Sequence, residues 1–339
     1  MGRYILHRLL LTILVVLGAA VVIFTIMHFV PGDPVEILLG NDATLEQYAA
    51  KRSELGLDKP FLIQLWNFMY KAFLRLDLGA SWTRSTPVLA GMLERLPRTF
   101  LLGILSIILT TVVAIPIGVN AAIHQNGLQD RGLIVAAMVF ISVPEFWLAL
   151  LLIILFSLKL GWLPSFGIES WKSYILPVVS GSMASICTLA RQTRASVLDV
   201  VHADYITTAR SKGMVERDVI YGHMLPNALI PIITMIGMSF TACVGGTVVM
   251  EQIFSFPGVG LYLSDAISRR DYPVIRGCVV VMAAFTAILM LFVDLAYGYV
   301  DPRIKAQYIS SSAKKGKVNE KRHRRPGPKH HSGHGNESQ

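Results

Sequence analysis

Charge is scarce in this sequence. Asp, Glu, Lys and Arg make up 16% of the 339 residues, against 53% apolar residues, and the mean hydropathy is +0.54. That balance is too apolar for a soluble globular chain and fits a polytopic membrane protein. Cysteine is scarce as well: Cys187, Cys243 and Cys278 lie in or beside apolar runs without paired metal-type spacing, which argues against a disulfide framework or a zinc site. No G-x-x-x-x-G-K-S/T loop occurs, so the chain is not expected to bind or hydrolyse ATP itself. H-E-x-x-H is missing, and no apolar run offers a set of catalytic side chains, so no catalytic residue and no metal ligand is assigned. There is no repeat of fixed period and no linker to a second soluble domain. Met1-Gly2 lacks the Ser or Thr that myristoylation requires at position six, where Leu6 stands.

What is present is a series of apolar runs long enough to cross a bilayer: Leu9 to Val30, Thr99 to Ile123, Leu133 to Leu160, Tyr174 to Ala195, Ala228 to Met250 and Gly277 to Val300. The first is too long for a signal-peptide core and lacks a clear cleavage site, so it reads as an uncleaved span. Arg3 and Arg8 flank its start, which places that end in the cytoplasm, and six spans return the C-terminus to the same side. The inner loops then carry Arg131, Arg191, Arg194, Arg210, Lys212 and Arg217. Residues 31–98 form a long extracytoplasmic loop with eight basic and eight acidic residues, in which Glu46 to Leu55 and Pro60 to Leu76 read as amphipathic helices. Arg269, Arg270 and Arg276 also fall outside and run mildly against the basic bias.

The net charge of +9 has a location. Ten Lys and Arg from Arg303 onward face only Asp301, Glu320 and Glu337, so the tail holds +7 of it and the basicity does not argue for nucleic acid. Residues 306–339 are rich in Ser, Gly, Pro, Lys, Arg and His and cannot bury enough surface to offset their ordering entropy, so a disordered cytoplasmic tail is expected. Three readings of it stand side by side: a solvated tail, association of Lys321, Arg322, Arg324 and Arg325 with membrane lipid headgroups, or metal binding by His323, His330, His331 and His334.

Two acids stand inside the spans. A carboxylate in hydrocarbon costs about 2.5–3.5 kcal/mol at a helix centre, so each should face protein or water. Glu145 follows Pro144, where a kink can admit water, and is either a group on a translocation path or a structural carboxylate bonded to a neighbouring helix; Asp294 reads as an anchor of the last helix. In the fifth span Gly237, Thr241 and Gly245 recur at spacing four, which serves either close helix packing or a passage with room for substrate.

Between the fourth and fifth runs lies a polar interval, Asp204 to Pro226. Asp204 is suited to cap a short helix from Tyr205 to Lys212, and Gly213 to end it in a left-handed turn with Met214 folded back. The result is a compact knob whose surface, Thr207, Thr208, Ala209 and Ser211, is small enough for another protein to approach closely. A second short helix is expected from about Val215 to Met224, stopping before Leu225-Pro226.

The interval resembles the coupling loop of ABC importer membrane subunits, Glu-Ala-Ala, three residues, Gly, nine residues, Ile, any residue, Leu-Pro: Ala209, Gly213, Leu225 and Pro226 match its spacing, while Thr207, Thr208 and His223 depart from it. TARSKG is close to the TARAKG of the dipeptide, oligopeptide and nickel branch. PGDP, LGLDKP, DLGAS, SVPEFWLALLLIILFSLKLGWLPSFG, GGTVVMEQIFSFPGVGLYLSDAISRRDYPVIRG and DPRI extend the resemblance over most of residues 1–305. It implies an all-α polytopic fold of six transmembrane helices of the type I ABC importer permease kind, with an extracytoplasmic helical loop between spans 1 and 2, in a bacterial or archaeal cytoplasmic membrane.

The resemblance further implies a permease subunit forming the path for small peptides, with nickel chelates as the alternative cargo. Its partners would be a second homologous permease subunit, two ATPase subunits or domains that carry ATP and Mg, and an extracytoplasmic solute-binding protein. Asp204, Tyr205, Thr207, Thr208, Ala209, Arg210, Lys212, Gly213, Leu225 and Pro226 would form the coupling loop. A secondary transporter or channel should instead show embedded ion ligands or inverted repeats, and neither is apparent; a membrane scaffold recruiting partners through its basic tail is the third reading.

Overall fold

The structure, a computed structural model, describes residues 2–40 and 43–300. The tail, with the disorder, lipid contact and histidine readings made for it, lies outside the described residues, as does the side chain of Asp294. Among the described residues the regular elements are all helical.

Helix α1, Gly2–Phe29, is followed by three short helices, α2 (Pro34–Leu39), α3 (Leu45–Glu54) and α4 (Phe61–Leu74). The long α5, Val88–Ile123, comes next, then α6 (Leu128–Ser142) and α7 (Glu145–Leu152), which runs on as π-turns through Ile153–Lys159. A 3-10 turn, Trp171–Tyr174, leads into α8 (Ile175–Val201), and α9 (Asp204–Ser211) follows. One turn of α10 (Glu216–Asp218) and π-turns over Val219–Met224 feed α11 (Leu225–Ile253), and the chain closes with α12 (Val259–Ser268) and α13 (Tyr272–Val300). Four segments are long and apolar enough to cross a membrane, Ile5–Phe29, Val88–Ile123, Trp171–Val201 and Tyr272–Val293, and two bent pairs bring the number to six if each pair is one span.

Helices α5 and α8 pack against each other at the centre, α11 lies against both, α6 flanks α8, and α1 pairs with α13. The bundle has two distinct ends. At one, Val119 and Ala122 of α5 and Val197 of α8 join α9 and the start of α11 in a single apolar cluster. At the other, Met27 of α1, Ala72 of α4 and Val88 and Met92 of α5 pack with α12 and the start of α13. There the buried carboxylate of Asp271 accepts from the Trp82 N–H (3.1 Å), the Thr83 hydroxyl (2.8 Å) and the Ser81 hydroxyl, pinning the 81–83 turn to α13.

Several helix ends differ from those expected: α8 runs on to Val201 and α13 begins at Tyr272, which puts Arg276 inside a helix, and three further differences shape the bundle. The run Leu133 to Leu160 is not one straight span: Leu128–Ser142 and Glu145–Lys159 meet at 97°. Pro144 has no N–H to continue the ladder and pushes Val143 into an extended conformation (φ −81, ψ 125), so the helix stops and restarts. The helix before Leu225-Pro226 does not end there. Pro226 falls in the first turn of α11, where a missing N–H leaves nothing unpaired, and the π-turns pass directly into the span. Finally, 88–98, expected in the loop, are the opening turns of α5, whose 36 residues extend about 54 Å and exceed a hydrocarbon core of about 30 Å.

The α5–α8 contact depends on Gly118. A Cβ there would press into the carbonyl oxygen of Ala190 and come to 2.6 Å from Thr193 Cβ. Gly118→Ala is therefore expected to cost about 1–3 kcal/mol, read as a lower melting temperature of the purified assembly, whereas Gly132→Ala, where a Cβ meets open space, is expected to leave it unchanged.

Candidate functional site

At the first end of the bundle α8 gives out at Val201, and the chain turns through Ala203 (φ −70, ψ 144) into α9. Asp204 is not the cap expected of it. The Ala203 carbonyl already accepts the N–H groups of Ile206 (2.9 Å) and Thr207 (3.2 Å), so the helix starts a residue earlier and Asp204 stands inside its first turn, where its charge still suits the helix dipole. Gly213 does terminate the helix, with φ +76; its N–H donates to the Arg210 carbonyl (2.9 Å) and the Met214 N–H to that of Ala209 (3.4 Å).

Spacing three puts Ile206 and Ala209 on one face, and both are buried against Val119, Ala122, Val197, Val219 and Met224. Ala209 was expected on the outer surface of the knob and belongs instead to its foundation. Burying the Ile206 side chain contributes about 2 kcal/mol, enough to seat so short a helix firmly. The opposite face presents Tyr205, Thr207, Thr208, Arg210, Ser211, Lys212 and Gly213 to the outside, and of the pair that leads into α11 Leu225 is half-buried and Pro226 exposed. Arg210 clasps Glu216 through two bonds (Nη2 to Oε1 2.7 Å, Nε to Oε2 3.2 Å), closing the turn around Gly213. These bonds hold the Arg210 guanidinium above its ordinary value, against the opposing effect of burial. A groove of about 380 Å³, lined by Met214, Arg217, Asp218, Tyr221, Gly222 and His223, runs beside it.

Two further anchors were not foreseen. The buried Asp130 at the start of α6 takes the Arg194 fork of α8 (Nη2 to Oδ2 2.7 Å) and the Asn126 N–H (2.8 Å). At the far end of α11 the fully buried Glu251 accepts from the Thr99 hydroxyl (2.7 Å) and the Leu261 N–H (3.0 Å), while Thr99 accepts from the Val259 N–H (2.9 Å). A carboxylate at the start of α12 thus ties α5, α11 and α12 together. The acid Glu251 could have been found in the sequence, because it stands beside the apolar run Ala228 to Met250 with no base near it.

Inside the bundle is a cavity of about 120 Å³ between α5, α7, α8 and α11. Its walls are Leu102, Gly103, Ser106, Ile107 and Thr110 of α5, Glu145 of α7, Pro177, Gly181 and Ser185 of α8, and Ser239, Thr247 and Met250 of α11. Glu145 therefore faces this space. Gly237 is buried and is not one of the wall residues; the side chains of Thr241 and the surroundings of Gly245 lie outside what is described.

Residues 114–306 match the family of binding-protein-dependent transport system inner membrane components, and residues 1–103 match the family of their N-terminal parts. The chain belongs to this permease family. The permease is 39% identical over 305 residues to the glutathione transport system permease protein GsiC of Salmonella choleraesuis, covering 90% of this chain and 99% of that one. It is 40% identical over 313 residues, at the same coverage, to a Brucella abortus protein provisionally named a peptide transport system permease. In fold it is similar to the inward-facing MetNI methionine ABC transporter, with a TM-score of 0.53 and 16% identity over 62% of this chain and 96% of that one. The permease is thus a multi-pass inner-membrane subunit of an ABC importer, working with a separate ATPase and a substrate-binding protein.

The Asp130–Arg194 pair offers a direct check of how the permease holds α6 to α8. Removing one partner strands a buried charge, so Asp130→Ala is expected to lose about 3–5 kcal/mol and to lower the melting temperature of the purified assembly. Removing both, in Asp130→Ala with Arg194→Ala, should recover part of that loss.

Proposed function

We propose that this permease forms, with a second homologous six-span subunit, the passage by which small peptides enter the cell, and that residues 204–226 receive the ATPase. ATP and Mg²⁺ belong to two ATPase subunits or domains beneath the pair, and a solute-binding protein delivers cargo at the opposite end. The names of the relatives support the peptide reading, since glutathione is itself a tripeptide. The excess of Arg and Lys at the α9 end supports a cytoplasmic location for that end and for both termini. On this reading residues 1–305 are the permease domain, and residues 306–339 are a tail able to meet lipid headgroups.

The observation that carries the proposal is the seat of α9. A short helix with a polar, small-residue outer face is fastened by Ile206 and Ala209 onto the ends of α5, α8 and α11, so a push on it moves three helices of the passage together. Asp204, Tyr205, Thr207, Thr208, Arg210, Lys212 and Gly213 form the docking face, Ala209 the fastening, and Leu225 and Pro226 the entry into α11. Glu145, with Ser239 and Thr247 of α11, stands on the path, while Gly237, Thr241 and Gly245 give α11 a narrow profile.

Gly213 separates backbone geometry from space, because a Cβ there meets nothing within 4 Å while φ is +76. Gly213→Val forces a β-branched residue into the left-handed region at about 1–2 kcal/mol, while Asn visits that region readily. Gly213→Val is expected to depress cargo-stimulated ATP hydrolysis and uptake together at unchanged membrane levels, and Gly213→Asn to retain most of both. Equal activity of the Val variant would contradict the docking role.

A further inference from the structure

The walls of the internal cavity carry an imbalance of charge. Five of the wall residues carry hydroxyls, Ser106, Thr110, Ser185, Ser239 and Thr247, and one, Glu145, a carboxylate; Lys, Arg and His are not among them. The Ser106 and Ser239 hydroxyls spend their protons on the carbonyls one turn back, Leu102 (3.0 Å) and Met235 (2.9 Å). Their lone pairs are what they can offer to the space. Among the described residues no donor stands within hydrogen-bonding distance of the Glu145 carboxylate, which is half-buried at the restart after Pro144. In the membrane, where a charged side chain costs several kcal/mol unless it is paired, an acid with no partner among the described residues is open to a partner that enters the cavity.

A cavity with a carboxylate in its wall, no cationic side chain and the free lone pairs of Ser106 and Ser239 fits a ligand group that is positively charged and donates hydrogen bonds. An alkylammonium, with three N–H donors and no acceptor, is that group, and about 120 Å³ holds such a head with its first carbon atoms, not a whole peptide. We propose that Glu145 is a cargo-recognition residue, whose carboxylate pairs with the free α-ammonium of a peptide passing between α5, α7, α8 and α11 while the hydroxyls of Ser106 and Ser239 accept its remaining hydrogens. The inference rests on the peptide reading above and assigns the permease a selectivity for unblocked N-termini, separate from that of the binding protein. It also gives the 97° break a purpose: the bend at Pro144 brings the first residue of α7 to the cavity wall.

The test uses the complete transporter, with its partner permease, ATPases and binding protein, in proteoliposomes, with trialanine as cargo because its only amine is the α-amino group. Uptake and ATP hydrolysis are measured at saturating loaded binding protein for the native chain, Glu145→Gln and Glu145→Asp. Gln keeps the size and loses the charge, while Asp keeps the charge and shortens the reach. A charge-assisted contact predicts that Glu145→Gln slows uptake about tenfold, that Glu145→Asp retains more uptake than Glu145→Gln, and that stimulated ATP hydrolysis stays within about twofold in both. Unchanged uptake by Glu145→Gln, or a parallel fall of uptake and ATP hydrolysis in both variants, would overturn the assignment. Failure of the native transporter to take up trialanine would overturn the peptide reading and this inference with it.

Discussion

The attachment of α9 to the bundle is the constraint from which the rest of the account follows. Eight residues make a helix too short to persist alone in water, so its shape depends on Ile206 and Ala209 being held by Val119, Ala122, Val197, Val219 and Met224. That one cluster draws residues from α5, α8, α9 and the lead into α11. A surface helix fastened in this way cannot shift without carrying the ends of those helices, which is the mechanical property a drive from outside the membrane requires. The Arg210–Glu216 clasp and the left-handed Gly213 keep the far side of the knob closed, and Asp130 with Arg194 ties α6 into the same end.

At the opposite end an apolar cluster is joined by a further set of polar ties. There buried carboxylates meet backbone N–H groups and hydroxyls: Glu251 holds α5, α11 and α12 through Thr99 and Leu261, and Asp271 holds the 81–83 turn. Such networks favour one arrangement, because every polar group in them is costly to leave unpaired. Each end thus combines an apolar cluster with buried polar ties. The cavity that Glu145 faces lies between the two ends.

How much of this was legible depended on the kind of signal. Long apolar runs announced the spans, and TARSKG with its flanking motifs announced the family, because both are local. Gly213 was readable from its place after the last basic residues of a short helix. The position of Ala209 was misread because a small residue looks like an open surface until the periodicity from Ile206 is followed to the buried face. The break at Pro144 was visible as a proline, but hydropathy is blind to direction, so a 97° turn and a straight span share one profile. The start of α11 was misplaced because Leu225-Pro226 reads as a stop, whereas a proline in a first turn is compatible with continuation. Asp130 and Glu251 escaped because their partners lie far along the chain, 64 residues away at Arg194 and 152 at Thr99.

The central claim, that the α9 knob is where the ATPase meets this permease, is most directly tested by site-specific photocrosslinking in native membranes. A benzoylphenylalanine placed at Thr208, on the exposed face of α9, is compared with one at Trp66, exposed on α4 near the other end. The account predicts an adduct with the ATPase subunit from position 208 and none from position 66. An ATPase adduct from position 66, or a fully assembled transporter giving none from position 208, would contradict it.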